Sequence, residues 1–139
     1  MGRPLAFTVT GGNIIDCTQF TAVMKGSGCP GPRQGRPGTR PDHVIGGKGY
    51  SSKAIRRWLR RRNIRHTIPE RSDQIRNRFR RGCRGCRPSA FDKQVYKQRN
   101  ILKRCFNRLK QWRGIATRYD KTTESYQATV TLASLLMWA

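Results

Sequence analysis

An α/β fold is the reading this sequence supports, and three observations carry it. Two short β-prone runs, His43-Val-Ile45 and Arg65-His-Thr-Ile68, flank a stretch from about Ser51 to Arg62 in which Ile55, Trp58 and Leu59 recur at helical spacing. A strand–helix–strand unit of this length favours parallel strands joined by a right-handed crossover, which is a sheet architecture and not a bundle. After Phe91 the apolar period is helical almost to the end, so a long C-terminal helical region follows the sheet.

Each element has a local reason. Pro4 to Thr10 reads as a strand because Leu5, Phe7 and Val9 alternate, and Gly11-Gly12-Asn13 stops it. Phe20, Val23 and Met24 predict a short helix. From residue 25 to 41, Gly, Pro, Arg and Ser dominate, which predicts a flexible basic loop. The strand at His43 ends at Gly46-Gly47, and Ser51 can cap the helix that follows. Arg56, Arg57, Arg60, Arg61 and Arg62 flank the apolar stripe of that helix, Asn63 ends it, and Pro69 halts the second strand. The stretch 70–90 is rich in arginine and poor in apolar residues except Ile75 and Phe79, so it predicts a basic loop holding at most a helical turn. Asp92 is the expected N-cap of the longest helix, whose apolar face is Val95, Leu102, Phe106 and Leu109, and Gly114 is expected to break it. A last helix from about Thr122 should bury Tyr126, Val130, Ala133, Leu136 and Met137.

Composition bounds the function. With 139 residues there is room for one ordinary domain, and 30 Lys+Arg against 7 Asp+Glu give a net charge of +23. Such a surplus seeks a polyanion and argues against the metabolism of neutral small molecules. The arginines between Arg56 and Arg87 are the natural contacts to phosphate. Five cysteines, Cys17, Cys29, Cys83, Cys86 and Cys105, are an odd set with no secretory segment ahead of them, which points to a reducing cytoplasm. The uncharged run from Ala128 to Ala139 is too short for a bilayer of about 30 Å hydrocarbon thickness, so no membrane is expected.

Cys83-Arg-Gly-Cys86 has the spacing of half a zinc site but lacks a second pair, and His43 and His66 stand isolated upstream. Free thiols and packed histidines are the readings that follow, and no metal is assigned. Ser51 and Ser52 read as helix caps, because no base neighbours them in sequence. Asp16 and Asp42 read as solvated loop residues.

On the longest helix, Tyr96, Arg99, Lys103 and Lys110 are spaced by three, four and seven, which sets them in a narrow stripe. The run Tyr96-Lys-Gln-Arg99-Asn-Ile-Leu-Lys103-Arg-Cys-Phe-Asn-Arg-Leu-Lys110 resembles the Y-x2-R-x3-E-x6-K signature of DDE transposases of bacterial insertion sequences. The continuation from Arg104 through Arg113 to Lys121 is similar to the insertion-sequence-five group. Val44-Ile-Gly-Gly47-Lys-Gly-Tyr50 looks like the segment in which that family carries its second aspartate.

The resemblance implies a ribonuclease-H-like fold and, in the intact family, DNA transposition by strand cleavage and transfer with Mg²⁺ held by three carboxylates. It also implies that this chain is a C-terminal fragment, residues 1–139, of such a domain, with its N-terminal strands and the first aspartate missing. At the other two acidic positions stand Gly47 and Lys103. Glycine has no side-chain oxygen for a hard cation. An ammonium about 4 Å from a divalent ion is repelled by about 8 kcal/mol at an effective dielectric near 20. The expectation is therefore a catalytically inactive chain with no intact catalytic residue and no cofactor of its own.

By the same resemblance, Lys48, Tyr96, Arg99, Arg104, Arg108, Lys110 and Arg113 are expected on duplex DNA, in the cytoplasm or on the bacterial nucleoid. Two alternatives stay open. One is a basic nucleic-acid-binding module without enzymatic ancestry. The other is a regulatory fragment that pairs with itself or with a full-length transposase.

Overall fold

The computed structural model describes residues 2–28, 40–85 and 87–138. The chain divides into two compact units, a sheet unit of Asp16–Phe20 and Arg40–Arg99, and a helical unit of Met1–Ile15, Thr21–Thr39 and Asn100–Ala139. The fold class is mixed α/β, as the sequence predicts.

In the sheet unit, β1 (His43–Ile45) and β2 (Arg65–Thr67) pair in parallel, with His43, Val44 and Ile45 opposite Arg65, His66 and Thr67. The ladder extends past both ends, since Arg65 N–H donates to the Asp42 carbonyl and Gly46 N–H to that of Thr67. His43 Nε2 and the Thr67 hydroxyl share a further hydrogen bond of 3.0 Å. Between the strands runs α2 (Lys53–Arg61), and its cap is Ser52, whose hydroxyl accepts from Ala54 N–H at 3.3 Å. Ser51, the expected cap, is instead buried one residue earlier. Asn63 closes the helix in the left-handed region at φ 52°, a conformation asparagine adopts more readily than most residues.

The apolar stripe of α2 is Ile55 and Leu59, joined by Ile64, Ile68 and Phe20 in one small core. Trp58 lies half-buried at its rim, where Phe20 meets it edge-on with centroids 5.6 Å apart and Arg62 stacks 4.0 Å above its ring. Phe20 begins α1 (Phe20–Gly26), the short helix that Phe20, Val23 and Met24 predict.

Arg56 departs from its expected place on a solvated flank. It is 9 % exposed, and its guanidinium donates to the Ser51 hydroxyl at 3.0 Å and to the Ile68 carbonyl at 2.9 Å. Burial lowers its pKa, and the nearby Glu70 carboxylate works in the opposite direction. Its spacing of three from Leu59 was the available signal, for that places both on one helical face. Arg56→Ala strands two buried acceptors and should cost about 2–4 kcal/mol. Arg57→Ala, at an exposed position, should stay within about 0.5 kcal/mol of the parent. Urea melts of the two variants check this, and equal midpoints would contradict it.

The largest correction concerns residues 70–90. Instead of a loop with one turn, the segment carries α3 (Ser72–Arg80), a regular helix pinned by side chains that composition does not reveal. The Gln74 amide donates to the Ser51 carbonyl and accepts from the Ser51 hydroxyl, both at 2.7 Å. One turn on, Arg78 forms a two-oxygen ion pair with Glu70 at 2.8 and 2.6 Å. That hydrogen-bonded guanidinium holds the Glu70 carboxyl below its ordinary pKa. Of the expected loop over 25–41, residues 29–39 lie outside the described residues, and α1 reaches into its start.

At the N-terminus and beyond Phe91 the structure corrects the sequence reading at several further points. The Pro4 to Thr10 strand does not form. Phe7 packs on the core of the unit while Leu5 is half-exposed, and Trp138 Nε1 donates to the Pro4 carbonyl at 2.9 Å. The longest helix is broken at Gln98 into α4 (Lys93–Lys97) and α5 (Arg99–Lys110). Asp92 does cap α4, its carboxylate accepting from Gln94 and Val95 N–H. On α5 the buried residues are Cys105 and Leu109, whereas Leu102 and Phe106 are exposed. Gly114 breaks nothing and sits inside α6 (Arg113–Thr117), which ends at Arg118 in the left-handed region.

The last helix, α7 (Thr123–Leu136), starts where the sequence reading places it, and the Thr122 hydroxyl caps it by accepting from Ser125 N–H. Its Val130 and Ala133, with Met137 just past its end, meet Cys105, Leu109 and Ile115 in the core; Tyr126 packs at the edge and Leu136 is exposed.

Candidate nucleic-acid interface

The sequence reading singled out Gly47, Lys48, Tyr96 and Arg99, and the sheet unit holds all four. Gly47 is the first residue beyond the Gly46 that extends the β1 ladder, and its backbone turns into a 3-10 helix over Lys48–Tyr50. The neighbouring Gly46 has a steric reason to be glycine, because a Cβ there would lie 3.1 Å from Ile68 Cγ1. At Gly47 the reason is different. It is buried, and a Cβ built on it would lie 2.8 Å from an Nη of Arg99 and 3.3 Å from the guanidinium carbon. A cationic group therefore covers the spot where a side chain at residue 47 would begin.

Arg99, the first residue of α5, is held there by its neighbour on α4. Its Nη donates to the Tyr96 hydroxyl at 3.4 Å, and its guanidinium carbon lies 5.8 Å from the centre of the Tyr96 ring. Phe91 packs tilted against Tyr96, with ring centroids 5.1 Å apart. Arg99 and Tyr96 are half-buried, while Lys48, next to Gly47 in sequence, is exposed at the start of its turn. Tyr50, at the end of the same turn, has its phenol pKa raised by burial and then by the charges of Asp16 and Cys17.

The other sequence-predicted residues belong to the helical unit. Arg104, Arg108 and Lys110 are exposed on α5, Arg113 is exposed at the start of α6, and Lys103 is exposed on α5. The single helical stripe from Tyr96 to Lys110 is thus interrupted at Gln98.

The residues present do not fit a divalent metal. Among the described residues, no group of three or more His, Cys, Asp and Glu is placed to hold one. Asp16 and Asp42 are both exposed. Arg99 over Gly47 adds positive charge where a metal would need negative charge. Cys83 is an exposed free thiol, and Cys86, the second half of the CxxC spacing, lies outside the described residues, as does Cys29. His66 is half-buried, and burial holds its pKa below the ordinary histidine value, with Arg56, Arg60 and His43 adding to the effect against the hydrogen bond that its Nδ1 makes to the Ile64 carbonyl. Such a group is neutral near pH 7 and packs in the sheet.

What the arrangement can do is bind anions. Exposed Lys48, Arg57, Arg60 and Arg61 in the sheet unit, with half-buried Arg99, offer charge-assisted donors to phosphate oxygens. Among the described residues, no helix is long and apolar enough to cross a membrane.

Comparison with known proteins bears on this geometry. Residues 44–139 match the family described as Transposase DDE domain. A protein of Brucella ovis that carries the name of a transposase for insertion sequence element IS6501 is 26% identical over 138 residues, covering 99% of this chain and 90% of that protein. A protein of Burkholderia cepacia named for a transposase of insertion sequence element IS402 is 37% identical over 70 residues, which is 50% of this chain and 33% of that one. No solved structure matches at a significant level.

Proposed function

We infer, from the premise that the chain belongs to the DDE transposase domain family of insertion sequences, that it binds duplex DNA through its cationic surface and does not cut it. The observation that carries this reading is the guanidinium of Arg99 over Gly47. Where DDE chemistry requires a carboxylate to hold metal, this chain offers a donor to a phosphate oxygen. The parallel β1 and β2 joined by α2 are read as part of a ribonuclease-H-like sheet.

In this reading Lys48, Tyr96 and Arg99 of the sheet unit, and Arg104, Arg108, Lys110 and Arg113 of the helical unit, are the DNA-facing residues. Tyr96 orients the Arg99 guanidinium from the side, and Arg99 receives the phosphate. No Mg²⁺ is assigned, and the place of action is DNA of the bacterial cytoplasm. Exposed Ile101, Leu102 and Phe106 on α5 favour a second partner, either another copy of this chain or an intact transposase.

Arg99→Ala tests the reading. Loss of one charge-assisted phosphate contact should weaken duplex binding about 10- to 100-fold at low salt. The slope of log affinity against log salt should become shallower by about 0.9. Arg99→Lys should recover part of the affinity and the full slope, since it keeps the charge and loses the fork. Fluorescence anisotropy on a labelled duplex reads both quantities. An Arg99→Ala protein with parental affinity and slope would overturn the assignment.

A further inference from the structure

Helix α3 has two faces that its contacts define. Gln74 and Arg78, one turn apart, are tied to Ser51 and Glu70. Ile75 and Phe79 are each one residue further on, so they form the next stripe round the helix. Phe79 is 76 % exposed, far more than the 36 % of Ile75, and it packs on no other ring among the described residues.

Apart from the paired Arg78, the charged residues nearest to this ring in the chain carry charge of one sign. Arg76, Arg80, Arg81 and Arg84 are all exposed, and none of them forms an ion pair among the described residues. The carboxylates nearest in sequence are already taken, Glu70 by Arg78 and Asp73 by Arg71 at 3.3 Å. An exposed phenyl ring needs an apolar partner, and the four guanidiniums need an anionic one. A nucleic acid strand supplies both at this scale, because each nucleotide joins a flat π-face to a phosphate. A lipid surface would also supply both. However, one ring and a half-exposed isoleucine make a smaller apolar face than interfacial helices use.

We propose that Phe79 is a stacking platform for an unpaired DNA base, with Arg76, Arg80, Arg81 and Arg84 holding the flanking phosphates. This rests on the DNA-binding reading and deepens it by naming the form of DNA. In a closed duplex the base faces are already stacked on each other, so the ring gains contact only where a strand is open, as at a gap, a frayed end or a single strand. The arginines contribute to either form.

The test measures the full chain and its Phe79→Ala and Phe79→Trp variants on two DNAs at fixed salt. One is a single strand carrying 2-aminopurine, and the other is a closed hairpin duplex of matched length. The position is exposed, so circular dichroism and the melting temperature should match the parent's. Phe79→Ala should lose about 5- to 150-fold in single-strand affinity and bind the duplex within about twofold of the parent. The parent and Phe79→Trp should quench 2-aminopurine emission, and Phe79→Ala should not.

Equal single-strand affinity for Phe79→Ala and parent, with duplex binding intact, overturns the stacking role alone. An equal loss on both DNAs overturns it too, by pointing to a general effect on α3. Failure of the parent to bind either DNA overturns the DNA-binding reading itself. Vesicles containing phosphatidylserine that bind the parent but not Phe79→Ala, with single-strand affinities equal, reassign the ring to a lipid surface.

Discussion

Raising the salt from 50 to 200 mM should weaken binding of this chain to duplex DNA by about 10³- to 10⁵-fold. The net charge of +23 sets the expectation, and the structure shows which side chains are available to realise it. Lys48, Arg57, Arg60, Arg61, Arg76, Arg80 and Arg81 are exposed in the sheet unit, while Arg56 is withdrawn into the core and Arg78 is neutralised by Glu70. About six to ten phosphate contacts are within reach of such a surface, and each releases counterions with a slope near −0.9 on a double-logarithmic plot.

Discrimination among unrelated duplexes should be small, because phosphate contacts position a protein without reading bases. Anisotropy titrations at four or more salt concentrations, on two unrelated sequences, measure both quantities. A slope corresponding to only one or two contacts, or strong preference for one duplex, would refute the reading.

Strand cleavage should be absent with either Mg²⁺ or Mn²⁺, and it should stay absent when Gly47→Asp and Lys103→Glu are introduced together. The Arg99 guanidinium is the first reason. A Cβ at residue 47 would come within 2.8 Å of its nitrogen, so an aspartate there meets the Arg99 guanidinium, which shifts to accept it, before it can meet a metal. The carboxylate would pair with Arg99, and its pKa should fall below the ordinary aspartate value of about 3.9. Charge is the second reason, since exposed Lys48, next to residue 47 in the chain, adds a further cation to a site that would have to hold a dication.

Nicking assays on a plasmid, manganese binding by electron paramagnetic resonance and an NMR titration of the new carboxylate follow the three consequences separately. Chelator-sensitive nicking by the unmodified chain would show that other side chains hold the metal. Manganese bound tightly by the double variant would show that Arg99 yields.

Short-range chemistry was enough to place much of this protein. The helical stripe of α2, its end at Asn63, the cap of α4 at Asp92 and the start of α7 near Thr122 each depend on residues within a few positions of one another, so they are legible in a string of letters. The family resemblance was legible for the same reason, since Tyr96, Arg99, Lys103 and Lys110 are close in the chain.

What tertiary structure alone decided is which faces have neighbours. Periodicity marks Leu102, Phe106 and Leu136 as apolar but does not say whether anything packs on them, and they are exposed. The reverse holds for Arg56, a charged residue that is buried with Nη2 donating to the Ser51 hydroxyl and the Ile68 carbonyl while Nη1 has no hydrogen-bond partner among the described residues. Helix α3 forms in a stretch whose composition suggests a loop, because Gln74 finds a partner in Ser51 on the body of the sheet unit and Arg78 closes back on Glu70 ahead of the helix. The contact between Gly47 and Arg99 is of the same kind: the glycine at 47 is visible in the sequence, but that a guanidinium fills the space beside it depends on a fold that brings distant residues together.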